Sequence, residues 1–197
     1  MEILVLGLGN ELLSDDAVGI LAARRLRSEL AEGATDADVG HASPGAPAAN
    51  ATNEADAANE ADPANETDAA DVIRVVETSV SGAALLDYLV GCDRAVIIDA
   101  VQTGARPAGS IEELTPADLG SVIAPSPHYA GLPEVLALAR QLRLHFPTEI
   151  RIFAIEARDL CTIGGALCEP VEKALPELLS RIRALVGCWK KERAAHA

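Results

Sequence analysis

The first sixteen residues constrain the fold of this chain more than any other stretch. An unbroken apolar run at residues 3–6 ends in Gly7-Leu-Gly9, which predicts a buried strand and a sharp turn where no Cβ obstructs the backbone. Ser14 follows and is suited to cap a helix. The apolar stripe of that helix would be Val18, Leu21, Ala22, Leu26 and Leu30. Ligands of open α/β sheets bind outside the carboxyl ends of the strands, so we expect Asp15 and Asp16 at the mouth of a binding crevice.

Strand and helix patterns alternate along the rest of the chain. The apolar runs at residues 72–76, 95–99 and 150–155 predict strands, and residues 109–114 predict a short edge strand. Helical spacing connects Leu85, Leu86 and Leu89, then Leu132, Val135, Leu136, Ala139 and Leu142, and finally Val171, Leu175, Leu178, Leu179, Ile182 and Leu185. With 197 residues and 49% hydrophobic content, the chain is predicted to be a single α/β domain. Its mostly parallel sheet should carry helices on both faces.

One stretch, residues 33–71, differs sharply from this pattern. It holds nine of the thirty acidic residues and no Lys or Arg, so it accounts for most of the net charge of −14. It also contains a near-repeat, with Asn53-Glu-Ala-Asp56 and Asn59-Glu-Ala-Asp62 followed by Asn65-Glu-Thr-Asp68. Such a composition cannot bury enough apolar surface to offset the entropy cost of ordering. We therefore predict a disordered acidic insertion at residues 33–71.

The composition also excludes several classes of partner. A nucleic-acid-binding protein needs a basic patch, and this chain is acidic. No apolar run approaches the roughly 20 residues that span a bilayer, and the N-terminus has no basic region before an apolar segment. Cys92, Cys161, Cys168 and Cys188 include no C-x-x-C pair, so buried or incidental thiols are expected rather than disulfides or a zinc site. We expect a cytoplasmic monomer that binds neither nucleic acid nor membrane.

Three residues on separate loops are candidates for a metal site. Asp99 ends a buried strand and should emerge at the same sheet edge as Asp16, while His128 lies in a loop between Pro127 and Gly131. Two carboxylates and a neutral imidazole would balance a divalent ion and leave coordination positions open. Each residue also has an ordinary explanation, because acids are favoured in the first turn of a helix and at turns, and loop histidines are commonly solvated. The residues alone leave both interpretations open.

These motifs together resemble a known family. Gly7-Leu-Gly-Asn-Glu-Leu-Leu-Ser-Asp-Asp16, Ile97-Ile-Asp99-Ala, Ser126-Pro-His128 and Ile155-Glu before a closing Pro-containing helix are similar to the hydrogenase maturation endopeptidases of the HybD/HycI type. The first signature is specific, and the order and spacing of the others reinforce it. The resemblance covers nearly the whole chain apart from residues 33–71. Two positions depart from the family pattern, because Ala17 replaces a frequent Gly and Ser79-Val-Ser-Gly82 replaces Gly-Thr-x-Gly.

The resemblance implies a five-stranded twisted sheet between helices and a specific reaction. The expected activity is removal of the C-terminal extension of a [NiFe] hydrogenase large-subunit precursor once nickel has been inserted. By the same resemblance, Asp16, Asp99 and His128 match the catalytic and metal-contacting residues, with the nickel carried by the precursor and no organic cofactor. The attacking group is left open between Asp16 and a metal-bound water.

Three other functions compete with this interpretation. Peptidyl-tRNA hydrolases share the opening strand and Gly-Leu-Gly-Asn, but they continue with Pro-Gly and a His-Asn pair that is absent here. A dinucleotide-binding fingerprint requires Gly where Leu12 stands, and an acidic pair at that turn would repel a pyrophosphate. A nickel-binding assembly factor without protease activity would share every residue named above.

Overall fold

Five strands form one sheet with a mixed edge. The computed structural model describes residues 1–35, 71–121, 128 and 131–196. The strands are β1 (Glu2–Leu8), β2 (Val72–Thr78), β3 (Arg94–Val101), β4 (Ile111–Leu114) and β5 (Glu149–Glu156), in the order β2-β1-β3-β5-β4. All pairings are parallel except the one between β4 and β5, which is antiparallel. The predicted mostly parallel sheet and its short edge strand are confirmed.

Helices cover both faces of the sheet, as predicted. They are α1 (Val18–Thr35), α2 (Leu86–Leu89), α3 (Leu132–Gln141) and α4 (Glu169–His196), with 3₁₀ turns at Asp15–Ala17, Gly82–Leu85 and Asp118–Ser121. Successive strand side chains point to opposite faces. On β1, Ile3 and Val5 therefore pack in the core beneath α1 and α4, whereas Leu4 and Leu6 pack in the core beneath α2 and α3. None of the described helices is long and apolar enough to span a bilayer.

Several helix details differ from the predictions. The buried face of α1 includes Ile20 and Ala23, which were not predicted, whereas Leu30 is 39% exposed. The third helix ends at Gln141, and Arg143 adopts a left-handed conformation with φ of 53°. Leu142 is therefore not part of the buried face and is 56% exposed.

The limits predicted for the acidic insertion are wrong at both ends. Helix α1 continues through Gly33 to Thr35, and Asp71 forms ion pairs with Arg193 and the N-terminal amine of Met1. The prediction of disorder otherwise concerns residues 36–70, which lie outside the described residues.

Candidate active site

Three glycines bring the start of α1 against the ends of the strands. A Cβ on Gly7 would lie 2.2 Å from the Gly19 carbonyl oxygen, and one on Gly19 would lie 2.2 Å from that of Leu8. Gly9 has φ of +142°, and a Cβ there would lie 1.9 Å from the Asp16 carbonyl oxygen. Only glycine permits these approaches. The predicted turn without an obstructing Cβ is thus confirmed, and it places Asp16 over the carboxyl ends of β1 and β3.

The two adjacent aspartates of this turn have different surroundings. Asp15 is fully buried, and its carboxylate accepts hydrogen bonds from the backbone N–H groups of Arg158 (2.8 Å), Asp159 (3.0 Å) and Cys168 (2.6 Å). Burial acts to raise the pKa of Asp15, but these hydrogen bonds outweigh it and lower the pKa below its ordinary value. Asp15 therefore anchors the loop after β5. The expectation that Asp15 lies at the mouth of a binding crevice is wrong, because its carboxylate is fully buried.

Ser14 also has a role different from the predicted one. It stands at the N-cap position of the 3₁₀ turn, but its side chain makes no capping hydrogen bond. Its hydroxyl instead donates to the carbonyl oxygen of Ala166 at 3.0 Å. The β1–α1 loop is thus fastened to the β5–α4 loop by side chains from both Ser14 and Asp15.

Asp16, Asp99 and His128 come together at the carboxyl edge of the sheet. One ligand atom from each lies within 4.8 Å of the others. Nε2 of His128 is 3.6 Å from Oδ2 of Asp16, which is within ion-pair range. Asp99 is fully buried near the end of β3, and its Oδ1 accepts the backbone N–H of Ala100 at 2.8 Å. The predicted convergence of Asp16 with Asp99 is present in the structure, and the loop residue His128 joins them.

The electrostatics of this cluster favour a cation among its side chains. Interaction with the Asp16 carboxylate raises the pKa of His128, burial opposes that rise, and the negative charges of Asp99 and Asp16 add to it. Two oxygen donors and one imidazole nitrogen in this arrangement suit a divalent first-row metal and leave further coordination positions for another molecule. A neutral His128 would be the ligand, so metal binding would displace its proton.

A fourth buried carboxylate at this edge, Glu156, was not predicted to have a structural role. Its Oε1 accepts the backbone N–H groups of Thr103 (2.8 Å) and Gly104 (2.7 Å), and its Oε2 accepts the Thr103 hydroxyl at 2.7 Å. The sequence pattern that indicates Asp99 also applies to Glu156, because each is an acid near the carboxyl end of a mainly apolar strand. In the sequence, Glu156 belongs only to the motifs of the family resemblance. Glu156 holds the loop after β3 next to the cluster.

A polar cleft adjoins the turn that carries Asp16. It encloses about 310 Å³ and is formed by Gly9, Asn10, Glu11, Ile20, Glu77, Thr78 and Ser79. Arg24 spans it by pairing with both Glu11 and Glu77. Ser79, one of the residues that departs from the family pattern, therefore borders a space beside the candidate site.

Two carboxylates and an imidazole thus converge at the carboxyl edge of a doubly covered α/β sheet, which is where proteins of this class bind their ligands. Solved structures share this fold. Hydrogenase maturating endopeptidase HybD from E. coli is 22% identical, with 94% of this chain and 92% of that one covered and a TM-score of 0.65. [NiFe] hydrogenase maturation protease HybD from Thermococcus kodakarensis is 21% identical, with 94% and 99% covered and a TM-score of 0.58.

The family itself is shown by the sequence of the larger part of the chain. The family model for hydrogenase maturation proteases matches residues 64–184. The chain therefore belongs to the hydrogenase maturation protease family, whose members are peptidases. The matched region contains Asp99 and His128, while Asp16 precedes it. No match was found among curated proteins.

Proposed function

We propose that this protein is the endopeptidase that removes the C-terminal extension of a [NiFe] hydrogenase large-subunit precursor after nickel insertion. The observation that carries the proposal is the convergence of Asp16, Asp99 and His128 within 4.8 Å, in a chain of the hydrogenase maturation protease family. The structurally similar protein from T. kodakarensis, which is named for [NiFe] hydrogenase, supports this choice of substrate class.

In this proposal the nickel belongs to the substrate. The carboxylates of Asp16 and Asp99 and the imidazole of His128 contact the metal, and ligands from the precursor complete its coordination. The three protein ligands alone bind nickel weakly when no precursor is present. The enzyme therefore recognises a precursor that already contains nickel. Nickel also supplies Lewis acidity at the scissile carbonyl. The group that attacks the peptide bond is then either Asp16 or a water bound to the metal.

In the free enzyme, the charges around His128 already favour binding of the nickel ion of the precursor. The carboxylates that raise the pKa of His128 also attract a divalent cation, and replacing the histidine proton by the metal leaves the charges of the cluster balanced. Anchoring of the surrounding loops by Asp15 and Glu156 keeps the three ligands in place before the substrate arrives.

The test is to incubate the protein with purified large-subunit precursor in nickel-loaded and nickel-free forms and to measure the precursor mass. We expect a shortened large subunit only from the nickel-loaded form. Efficient cleavage of the nickel-free precursor would contradict the recognition of nickel. Binding of the loaded precursor without any shortening would instead favour a non-proteolytic nickel-binding assembly factor.

A further inference from the structure

Two loops beside the candidate active site join to form a ridge. We use the name docking ridge for residues 12–14 of the β1–α1 loop and residues 160–166 of the β5–α4 loop. The backbone N–H of Ser14 donates to the carbonyl oxygen of Thr162 at 3.0 Å, and that of Gly164 donates to Leu12 at 2.8 Å. Leu13 and Ile163 form an antiparallel bridge between the loops. The ridge is therefore a paired structure rather than two independent loops.

Buried and partly buried side chains hold the ridge in one conformation. Asp15 binds three backbone N–H groups on the β5–α4 loop. Within that loop, Oδ1 of Asp159 accepts the N–H groups of Cys161 (2.9 Å) and Thr162 (3.0 Å). The backbone N–H of Ala17 donates to Leu13 at 3.2 Å, so the ridge is also continuous with the turn that carries Asp16.

The largest exposed side chains of the ridge are apolar. Leu12 is 67% exposed and Ile163 is 79% exposed, the two highest values among the exposed large hydrophobic side chains of the described residues. Residues 12–14 and 160–166 include no charged residue, although 23% of the chain is charged, and the neighbouring Glu11 forms an ion pair with Arg24. An ordered, uncharged surface that keeps large apolar groups in water is typical of an interaction site.

We propose that the docking ridge binds an apolar surface of the protein substrate next to its scissile segment, with Leu12 and Ile163 as the residues that determine affinity. The inference rests on the proposed function and adds to it the surface that selects the precursor. The occupant follows from position and charge. The ridge is hydrogen-bonded to the turn that carries Asp16, so a folded polypeptide whose extension is held at Asp16 has its surface next to the ridge. An uncharged ridge on an acidic chain suits an apolar partner surface and not a basic one.

The test compares variants by steady-state cleavage of the nickel-loaded precursor. Leu12→Ser and Ile163→Ser should each raise KM about tenfold, and the double variant about a hundredfold, because each loses the burial of a large apolar side chain. The kcat should stay within about twofold of wild type, because the ridge contacts substrate away from the reacting atoms. Leu12→Met and Ile163→Leu, which keep apolar volume, should restore a KM near that of wild type.

A matched control is available at the opposite edge of the sheet. Leu142 is 56% exposed and lies between α3 and the start of β5, so Leu142→Ser should leave KM unchanged.

Wild-type cleavage with an unchanged KM in the double variant would overturn the docking inference and leave the proposed function intact. Loss of kcat at constant KM would also overturn it. A wild-type dimer that the double variant converts to monomer, again at constant KM, would show that the ridge joins two copies of the chain. A wild-type protein that shortens no precursor would refute both proposals.

Discussion

Four buried carboxylates lie at the carboxyl edge of the sheet, two in the centre of the edge (Asp16 and Asp99) and two on its flanks (Asp15 and Glu156). The central and flanking carboxylates differ in the groups that surround them. On the flanks, Asp15 and Glu156 face backbone N–H groups of neighbouring loops. In the centre, Asp16 and Asp99 lie within 4.8 Å of each other and of His128. Hydrogen bonds from N–H groups stabilise a buried carboxylate, whereas a second carboxylate nearby destabilises it unless a cation intervenes. The flanking carboxylates therefore stabilise the loops, whereas the charges of the two central carboxylates would be balanced by a cation, either protonated His128 or a metal ion.

The largest expected effect is a loss of cleavage activity when a central residue is replaced. Asp16→Asn and His128→Ala should each lower kcat/KM for the nickel-loaded precursor by about 10³-fold or more, because each removes a proposed metal contact. Each should lower the melting temperature only slightly, because neither side chain belongs to the hydrophobic core and only the Asp16–His128 pair is lost. Mass spectrometry of the precursor and thermal unfolding measure the two quantities. A variant that processes the precursor at the wild-type rate would refute the site assignment.

The next effect is on stability and belongs to the flank. Asp15→Ala leaves three backbone N–H groups without their acceptor, so it should lower the free energy of unfolding by about 2–4 kcal/mol. Asp159→Ala removes a carboxylate that accepts two N–H groups of the same loop, and it is the control, with a smaller expected loss because the group is solvated. Urea unfolding measures both.

The pH dependence of that loss follows from the pKa of Asp15, which folding lowers from 3.8. The stabilisation is present above the pKa of the unfolded chain and is lost as pH falls through the lower folded value. The difference between wild type and Asp15→Ala should therefore be largest near neutral pH and should shrink in acid. An equal difference at all pH values would show that the ionised carboxylate contributes nothing.

The smallest expected effect is a change in the pKa of His128. The pKa of His128 is raised above 6.5, chiefly by Asp16. NMR titration of the imidazole should therefore give a midpoint above 6.5 in wild type and a lower one in Asp16→Asn. Because folding raises this pKa, protonation of His128 stabilises the fold below the unfolded value, and the contribution disappears as pH rises through the folded value. A midpoint that does not change in Asp16→Asn would show that the two side chains do not interact in solution.

Much of the site could be predicted from local patterns. The apolar runs identify the strands, and the acids and glycines where β1 and β3 end identify the edge at which a site should form. These features depend on residues a few positions apart, or on the rule that parallel strands end at the same edge. The loop position of His128 was likewise visible, although the residues alone could not distinguish a ligand from a solvated histidine.

The sequence by itself determined the sheet, the edge and the set of candidate residues, whereas only the tertiary structure distinguished Asp15 from Asp16. The two side chains are chemically identical and adjacent, so no periodicity separates them. Asp15 is an anchor because N–H groups more than 140 residues away meet its carboxylate. The roles of Glu156, Leu12 and Ile163 likewise arise from loops that are distant in the chain and become paired when the sheet forms. Such roles depend on where the backbone brings partners together, and that is a property of the folded chain.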